Sequence, residues 1–251
     1  MGELYKSRAL VLCRRPFREA DEVVHLLTPQ KGRLDVMVRG SKRLQSAWVG
    51  RLEPFVEFDG LFAKGRSFSY LSQGRTLYTY PLLRQDYRRL CWGSFLLEMW
   101  SEAIPKQQAA SREYALLVRT LHALEATDNL CLTCCWAEWN LMLLWGNRPS
   151  LEGCARCGEA RPVGYSFSEG GLVCEACLER TCYLYGAHLG RFLEPRLMLL
   201  LQRLPYLTLE KAQSVALPAP EAAQLEDILW QHWCYSGHAP VRSRRLLREL
   251  D

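Results

Sequence analysis

The chain is poor in the usual marks of catalysis. Its 251 residues hold no Gly-x-x-x-x-Gly-Lys-Ser/Thr phosphate loop and no Gly-x-Gly-x-x-Gly, which disfavours nucleotide hydrolysis and dinucleotide chemistry. No His-Glu-x-x-His pair, deaminase-type His-x-Glu with Pro-Cys-x-x-Cys, or Gly-x-Ser-x-Gly elbow is present, and the five histidines are scattered. An enzyme is not expected. Nor is there a run of about 18 apolar residues to cross a bilayer, and the opening residues lack the basic-then-apolar pattern of a secretory signal. These absences predict a cytoplasmic protein with no membrane partner. Internal repeats and low-complexity linkers are missing too.

Cysteine, by contrast, is abundant: eleven residues, four of them in a recognisable pattern. Cys154-Ala155-Arg156-Cys157 is followed by Cys174-Glu175-Ala176-Cys177, and two CxxC pairs at this spacing read as a four-thiolate zinc site. Four thiolates leave the metal no open position, so one structural Zn2+ is expected. The glycines around the pairs suit knuckle turns, and Val163–Phe167 with Gly171–Val173 reads as a short hairpin, as in a zinc ribbon. The alternatives are two redox pairs or unliganded buried thiols. The other seven cysteines lie in apolar segments, which fits a reducing compartment better than a disulfide framework. A third CxxC, Cys131-x-x-Cys134, sits in an apolar helical run and reads as a buried structural pair.

Charge is unevenly spread. Residues 1–80 carry 14 Lys and Arg against 8 Asp and Glu, whereas the remainder carries 18 against 19. All the excess positive charge is in the first third, which points to a polyanion partner there; a basic surface kept for solubility is the bland alternative.

Five strands are expected in that third: Ser7–Leu12, Glu22–Leu27, Arg33–Arg39, Leu52–Phe58 and Ser67–Leu71. Five short strands in about 75 residues suit a small closed barrel, of the oligonucleotide-binding (OB) type or an SH3-like one. From Pro81 the period becomes helical. The fold class is therefore α+β: an OB-type β-barrel over residues 1–80, then an α-helical domain over 81–251 with an inserted four-cysteine zinc ribbon at 150–180. Helical stripes include Ala115, Leu116, Val118, Leu121 and Leu124. A helix is expected over Leu189–Leu204, broken at Pro195, and a basic amphipathic helix closes the chain at Val241–Arg248.

Within the barrel, Arg14, Arg15, Arg33, Arg39, Lys42 and Arg43 are the candidate DNA-contacting cations, with Arg33 and Arg39 placed on the solvent face of their strand. Phosphate contacts supply most of the affinity for a nucleic-acid strand. Trp48 either stacks on a base or plugs the barrel; Phe17 and Tyr70 share that ambiguity. A carboxylate nuclease would have to use Asp21, Glu22 or Asp35, and no paired spacing recommends it.

The order of parts resembles the bacterial recombination mediator and DNA repair family RecO. The likeness rests on Ala9-Leu10-Val11-Leu12, Arg15-Pro16-Phe17, Glu19-x-Asp21, Leu26-Leu27-Thr28, the Gly32 turn, Val38-Arg39-Gly40-Ser41-Lys42-Arg43, Leu52-Glu53-Pro54-Phe55 and the cysteine quartet. It covers essentially the whole chain. The resemblance implies binding of single- and double-stranded DNA and annealing of complementary strands without ATP. It also implies help in loading recombinase onto strands coated by single-strand-binding protein, with RecR as partner and a nucleoid-associated location. In family terms the DNA surface falls on Arg39, Lys42, Arg43 and neighbours, and the zinc is structural. A zinc-stabilised docking adaptor without a direct DNA role is the other reading.

Overall fold

A computed structural model describes residues 3–65 and 68–250. The chain forms two compact units, one of residues 1–126 together with 241–251, the other of residues 127–240.

The first unit opens with five strands: β1 (Leu4–Pro16), β2 (Glu22–Thr28), β3 (Gly32–Val38), β4 (Glu57–Ala63) and β5 (Ser69–Tyr78). They close a barrel in the order β1-β2-β3-β5-β4, antiparallel except where Val36 and Met37 of β3 meet Ser69 and Tyr70 of β5. This is the OB arrangement, which decides between the two expected barrels. Alternate residues point inward: Ala9 and Val11, Val24 and Leu26, Leu34, Val36 and Val38, with Phe58, Phe62 and Leu71. The fourth strand begins later than the apolar pattern suggests. Leu52 and Val56 are buried, but as part of a turn that lids the barrel, with Phe55 in the left-handed region (φ 68°). Ser67, the expected start of the fifth strand, lies outside the described residues.

Much of the outer face of β1–β3 is buried as well. Leu10, Leu12, Val23, Leu27 and Met37 point away from the barrel interior yet are at most 8% exposed. The covering elements are α2 (Tyr87–Ala103), which contacts β1, and α3 (Ser111–Ala126), which contacts β2; the short α1 (Pro81–Gln85) leads into them. The link between α2 and α3 is laced onto β3. Arg33 N–H donates to the Pro105 carbonyl (3.3 Å), Gln107 N–H to that of Arg33 (3.2 Å), and Lys106 Nζ reaches Asp35 at 2.5 Å. Gly32, at φ 54°, makes this approach possible, since a Cβ there would lie 2.2 Å from the Gln108 carbonyl oxygen. The buried face of α3 is Tyr114, Leu117, Leu121 and Leu124, rotated from the expected stripe: Ala115 is exposed.

A boundary at residue 80 is therefore not where the contacts divide. Helices α1–α3 group with the barrel, because the apolar outer face of β1–β3 needs a cover and they supply it. The segment from Val241 also belongs to this unit. Glu98 of α2 accepts the N–H groups of Arg242 (2.9 Å) and Ser243 (2.8 Å) and the Ser243 hydroxyl (2.6 Å). The closing helix α9 is only Arg244–Leu247, shorter than the basic pattern suggests.

The second unit is built on α4 (Leu130–Leu144), buried nearly all round as its composition predicts, and packed on α7 (Leu209–Ser214) and α8 (Ala219–Tyr235). The ribbon holds β6 (Gly164–Ser166), β7 (Gly171–Val173) and α5 (Glu175–Tyr185). A third strand, β8 (Gly190–Phe192), pairs with β6. The stretch expected as one helix from Leu189 thus starts as a strand, and α6 runs only over Pro195–Arg203, with proline in its first turn where no N–H is needed.

Candidate metal centre and nucleic-acid interface

The quartet Cys154, Cys157, Cys174 and Cys177 comes together in the ribbon. All four sulfurs lie within 4.8 Å of one another, and Cys157 Sγ is 3.7 Å from Cys174 Sγ. Tetrahedral zinc with bonds of about 2.3 Å needs sulfurs roughly 3.8 Å apart, so the set fits such an ion. The first pair sits on a knuckle: Gly158 N–H donates to the Cys154 carbonyl (2.9 Å), with Gly158 at φ 79°. Ala155 N–H donates to Leu172 of β7 (2.7 Å), which ties the knuckle to the hairpin. The second pair is placed by α5, for which Cys174 is the N-terminal cap residue.

The thiols are unequal. Burial pushes Cys154 up, but the backbone N–H groups of Cys174, Cys157 and Arg156 outweigh it and bring the thiol down to about 6. Cys177 is pushed up to about 12, first by burial and then by its three neighbouring cysteines. Four thiols this close together make a metal-ligand donor set. Cys131 and Cys134 lie away from it in α4. Cys131 Sγ approaches Cys135 Sγ (4.0 Å) rather than Cys134, and burial raises Cys134 well above an ordinary thiol. That is a packed environment, with nothing to activate a nucleophile.

At one end of the barrel the turn between β1 and β2 is braced against the loop after β3. Asp21 accepts the Gly40 N–H (2.8 Å), and Lys42 N–H donates to the Ala20 carbonyl (3.1 Å). This brace brings exposed Arg15 and Arg18 to the same end as exposed Arg39, Lys42 and Arg43. Arg39 lies over the Tyr70 ring at 5.0 Å, and half-exposed Phe17 packs edge-on against Phe68 with Arg18 over its ring. Cations alternating with aromatic faces suit a single strand, whose phosphates and bases need one of each. Arg18 escapes a reading based on strands, because it sits in the turn that Asp21 and the Ala20 carbonyl hold in place.

The other three expected contacts also meet partners within the protein. Arg14 pairs with Glu53 (2.7 Å) and Glu22 (3.5 Å). Arg33 does not face solvent: it is half-buried, donates to the Ser101 carbonyl of α2, and its Nε has no partner among the described residues. Trp48 packs against the barrel core, and a Cβ on Gly74 would lie 3.1 Å from its ring. It is a plug. The carboxylates a nuclease would need are likewise occupied: Asp21 by Gly40, Glu22 by Arg14, and Asp35 by His25 (2.7 Å) and Lys106. Among the described residues, no helix is long and apolar enough to cross a membrane.

Two family models match the chain: one described as Recombination protein O N terminal over residues 1–80, and one described as Recombination protein O C terminal over residues 84–245. Their junction falls near the end of β5. Curated relatives include a DNA repair protein RecO from Alkaliphilus metalliredigens, 32% identical over 177 residues that cover 69% of this chain and 72% of the relative. Another, from Nocardioides sp., is 32% identical over 188 residues, covering 69% and 74%. A third, from Desulforudis audaxviator, is 28% identical over 248 residues and spans 98% of this chain and 97% of its own length.

Proposed function

The chain belongs to the recombination protein O family, and from that premise we propose that it is a DNA repair and recombination mediator. It binds single- and double-stranded DNA, anneals complementary strands without ATP, and helps load recombinase onto strands coated by single-strand-binding protein, in company with RecR. Its place is the cytoplasm, at the nucleoid. The observation that carries the reading is the braced end of the barrel, where Arg15, Arg18, Arg39, Lys42 and Arg43 stand exposed beside Phe17 and Tyr70.

Annealing makes and breaks no covalent bond, so it needs no catalytic group. What it needs is relief of the repulsion between two phosphate backbones, which fixed cations supply together with release of counterions. The barrel's guanidinium and ammonium groups do this in the first unit, helped by exposed Arg242, Arg245 and Arg248 of the closing segment. Cys154, Cys157, Cys174 and Cys177 hold one zinc ion, whose contribution is to fold the ribbon.

The test is annealing of two complementary labelled strands, precoated with cognate single-strand-binding protein, across a salt series without ATP. Fast annealing that slows steeply with salt supports the mediator. Binding to the coating protein without annealing favours a docking adaptor, and absence of both overturns the reading.

A further inference from the structure

Oligonucleotide-binding barrels commonly take their ligand on the face of strands 2 and 3. That face is closed here. Its outward residues Val23, Leu27 and Met37 are buried, His25 and Asp35 are bonded to each other, and the link through Lys106 is laced across β3. The open outer face of the barrel lies elsewhere, on the first half of β1 with β4 and β5. Gly60 points inward, since a Cβ there would meet the rings of Phe62 and Phe58, and Ser7 and Gly74 are its register partners. Their neighbours along each strand therefore point outward.

Those neighbours form two rows across the three strands. One is Arg8, Asp59 and Arg75; the other is Lys6, Leu61 and Gln73. Together they line a depression of about 620 Å3. Asp59 pairs with Arg75 (3.0 Å) and with Arg8 (3.9 Å), yet the two arginine side chains remain 78% and 65% exposed. One carboxylate thus steadies two guanidinium groups without using up their donors. Lys6 and Arg8 stand about 7 Å apart along β1, and Arg75 lies about 9–10 Å away across β4. Leu61 is the one large apolar side chain in the lining, too little to anchor a peptide by its side chains.

We propose that this depression is a second strand site: it takes the phosphate backbone of a nucleic-acid single strand on Lys6, Arg8 and Arg75, while the braced loops hold another strand. The inference rests on the mediator reading and deepens it, because annealing requires two strands on one protein. Contact through phosphates makes the site indifferent to base sequence. Charge complementarity selects the occupant, since the excess positive charge of the whole chain lies in residues 1–80.

The experiment uses the full zinc-loaded chain and two non-complementary strands carrying a donor and an acceptor dye. Energy transfer reports capture of both strands by one protein, and single-strand binding is measured across a salt series. In Lys6→Ala/Arg8→Ala/Arg75→Ala the salt slope should fall by about 2, at roughly 0.7 per lost phosphate contact, and joint capture should disappear while one strand still binds. Arg8→Lys/Arg75→Lys should restore both, which separates charge from damage to the fold. If the triple alanine variant keeps slope and joint capture while Arg39→Ala/Lys42→Ala/Arg43→Ala loses them, the second site is wrong and the mediator reading stands. If the wild-type chain captures no strand, the mediator reading falls first and takes the site with it. If the triple alanine variant loses binding to a glutamate-rich peptide but not to strands, the occupant is a protein and the proposal is overturned.

Discussion

The barrel and the ribbon solve the same problem with different means. The barrel buries twelve core residues inside its closed sheet, Phe58 and Phe62 among them. The ribbon cluster has four, of which two are the cysteines Cys154 and Cys177. On the proposed reading the ribbon adds zinc ligation, and what it shares with α8, to its own packing. Stability spread over many side chains is thus set against stability concentrated in four sulfurs.

Removing the metal should break the comparison most sharply. Cys154→Ser, or exhaustive chelation, forfeits much of the about 10–16 kcal/mol that structural zinc binding supplies. Amides of Tyr165 and Leu172 should then lose hydrogen-exchange protection while those of Val24 and Leu26 keep theirs. One zinc still bound per chain, with unchanged protection, would remove the ribbon's dependence on metal. The reciprocal change is Phe62→Ala. Its ring is fully buried against Tyr5 and Phe58, and its loss should cost about 3–5 kcal/mol, lowering the barrel's melting transition with the metal content unaltered.

A smaller effect tests what the ribbon shares with α8. His232 Nε2 donates to the Asn147 carbonyl (2.8 Å), so its Nδ1 accepts from the hydroxyl of Tyr165 in β6 (2.8 Å). Burial keeps this imidazole neutral by lowering its pKa, against the pull of the Asn147 carbonyl. The stability it confers is complete above the unfolded value near 6.5 and is lost as pH falls below it, at up to about 1.4 kcal/mol per pH unit. At saturating zinc, His232→Gln should flatten the decline in ribbon stability between pH 7 and 5.5; an identical decline in the variant would assign it to the thiolates.

The smallest effect concerns the barrel's unit. Burial would raise the Glu98 carboxyl, but the Ser243 hydroxyl and the N–H groups of Arg242 and Ser243 hold it below the usual range. The stability it adds is present above about pH 4.5 and is lost as pH falls through the lower folded value. Glu98→Ala should release the segment from Val241 at a cost of about 1 kcal/mol, given partial exposure. Faster proteolysis there, with the barrel's melting little changed, is the expected result; equal rates would leave Glu98 without this role.

The residue order made some of these features plain and hid others. The quartet was legible because metal ligands recur at short fixed spacing, and β2 and β3 because their inward residues alternate. Leu52–Phe58 misled because apolar residues in a lid turn look like those in a strand. Arg33 misled for a related reason: an arginine on a strand carries no mark of what will cover it. Its cover, α2, is distant in sequence. The same holds for the grouping of α1–α3 with the barrel, which follows from the buried outer side of β1–β3. The groove of Lys6, Arg8 and Arg75 was equally hidden, since its rows exist only once three strands are in register.

The route of the polypeptide has a consequence for its synthesis. The barrel and its covering helices are complete on the ribosome by Ala126, yet the piece that Glu98 clasps begins at Val241. All of Thr127–Pro240 must be translated in between. Domains generally fold as they emerge, but during that interval Glu98 is unclasped, and Arg242, Arg245 and Arg248 have yet to join the first unit. A product truncated inside the second unit would therefore display the barrel and its covering helices without that fastening.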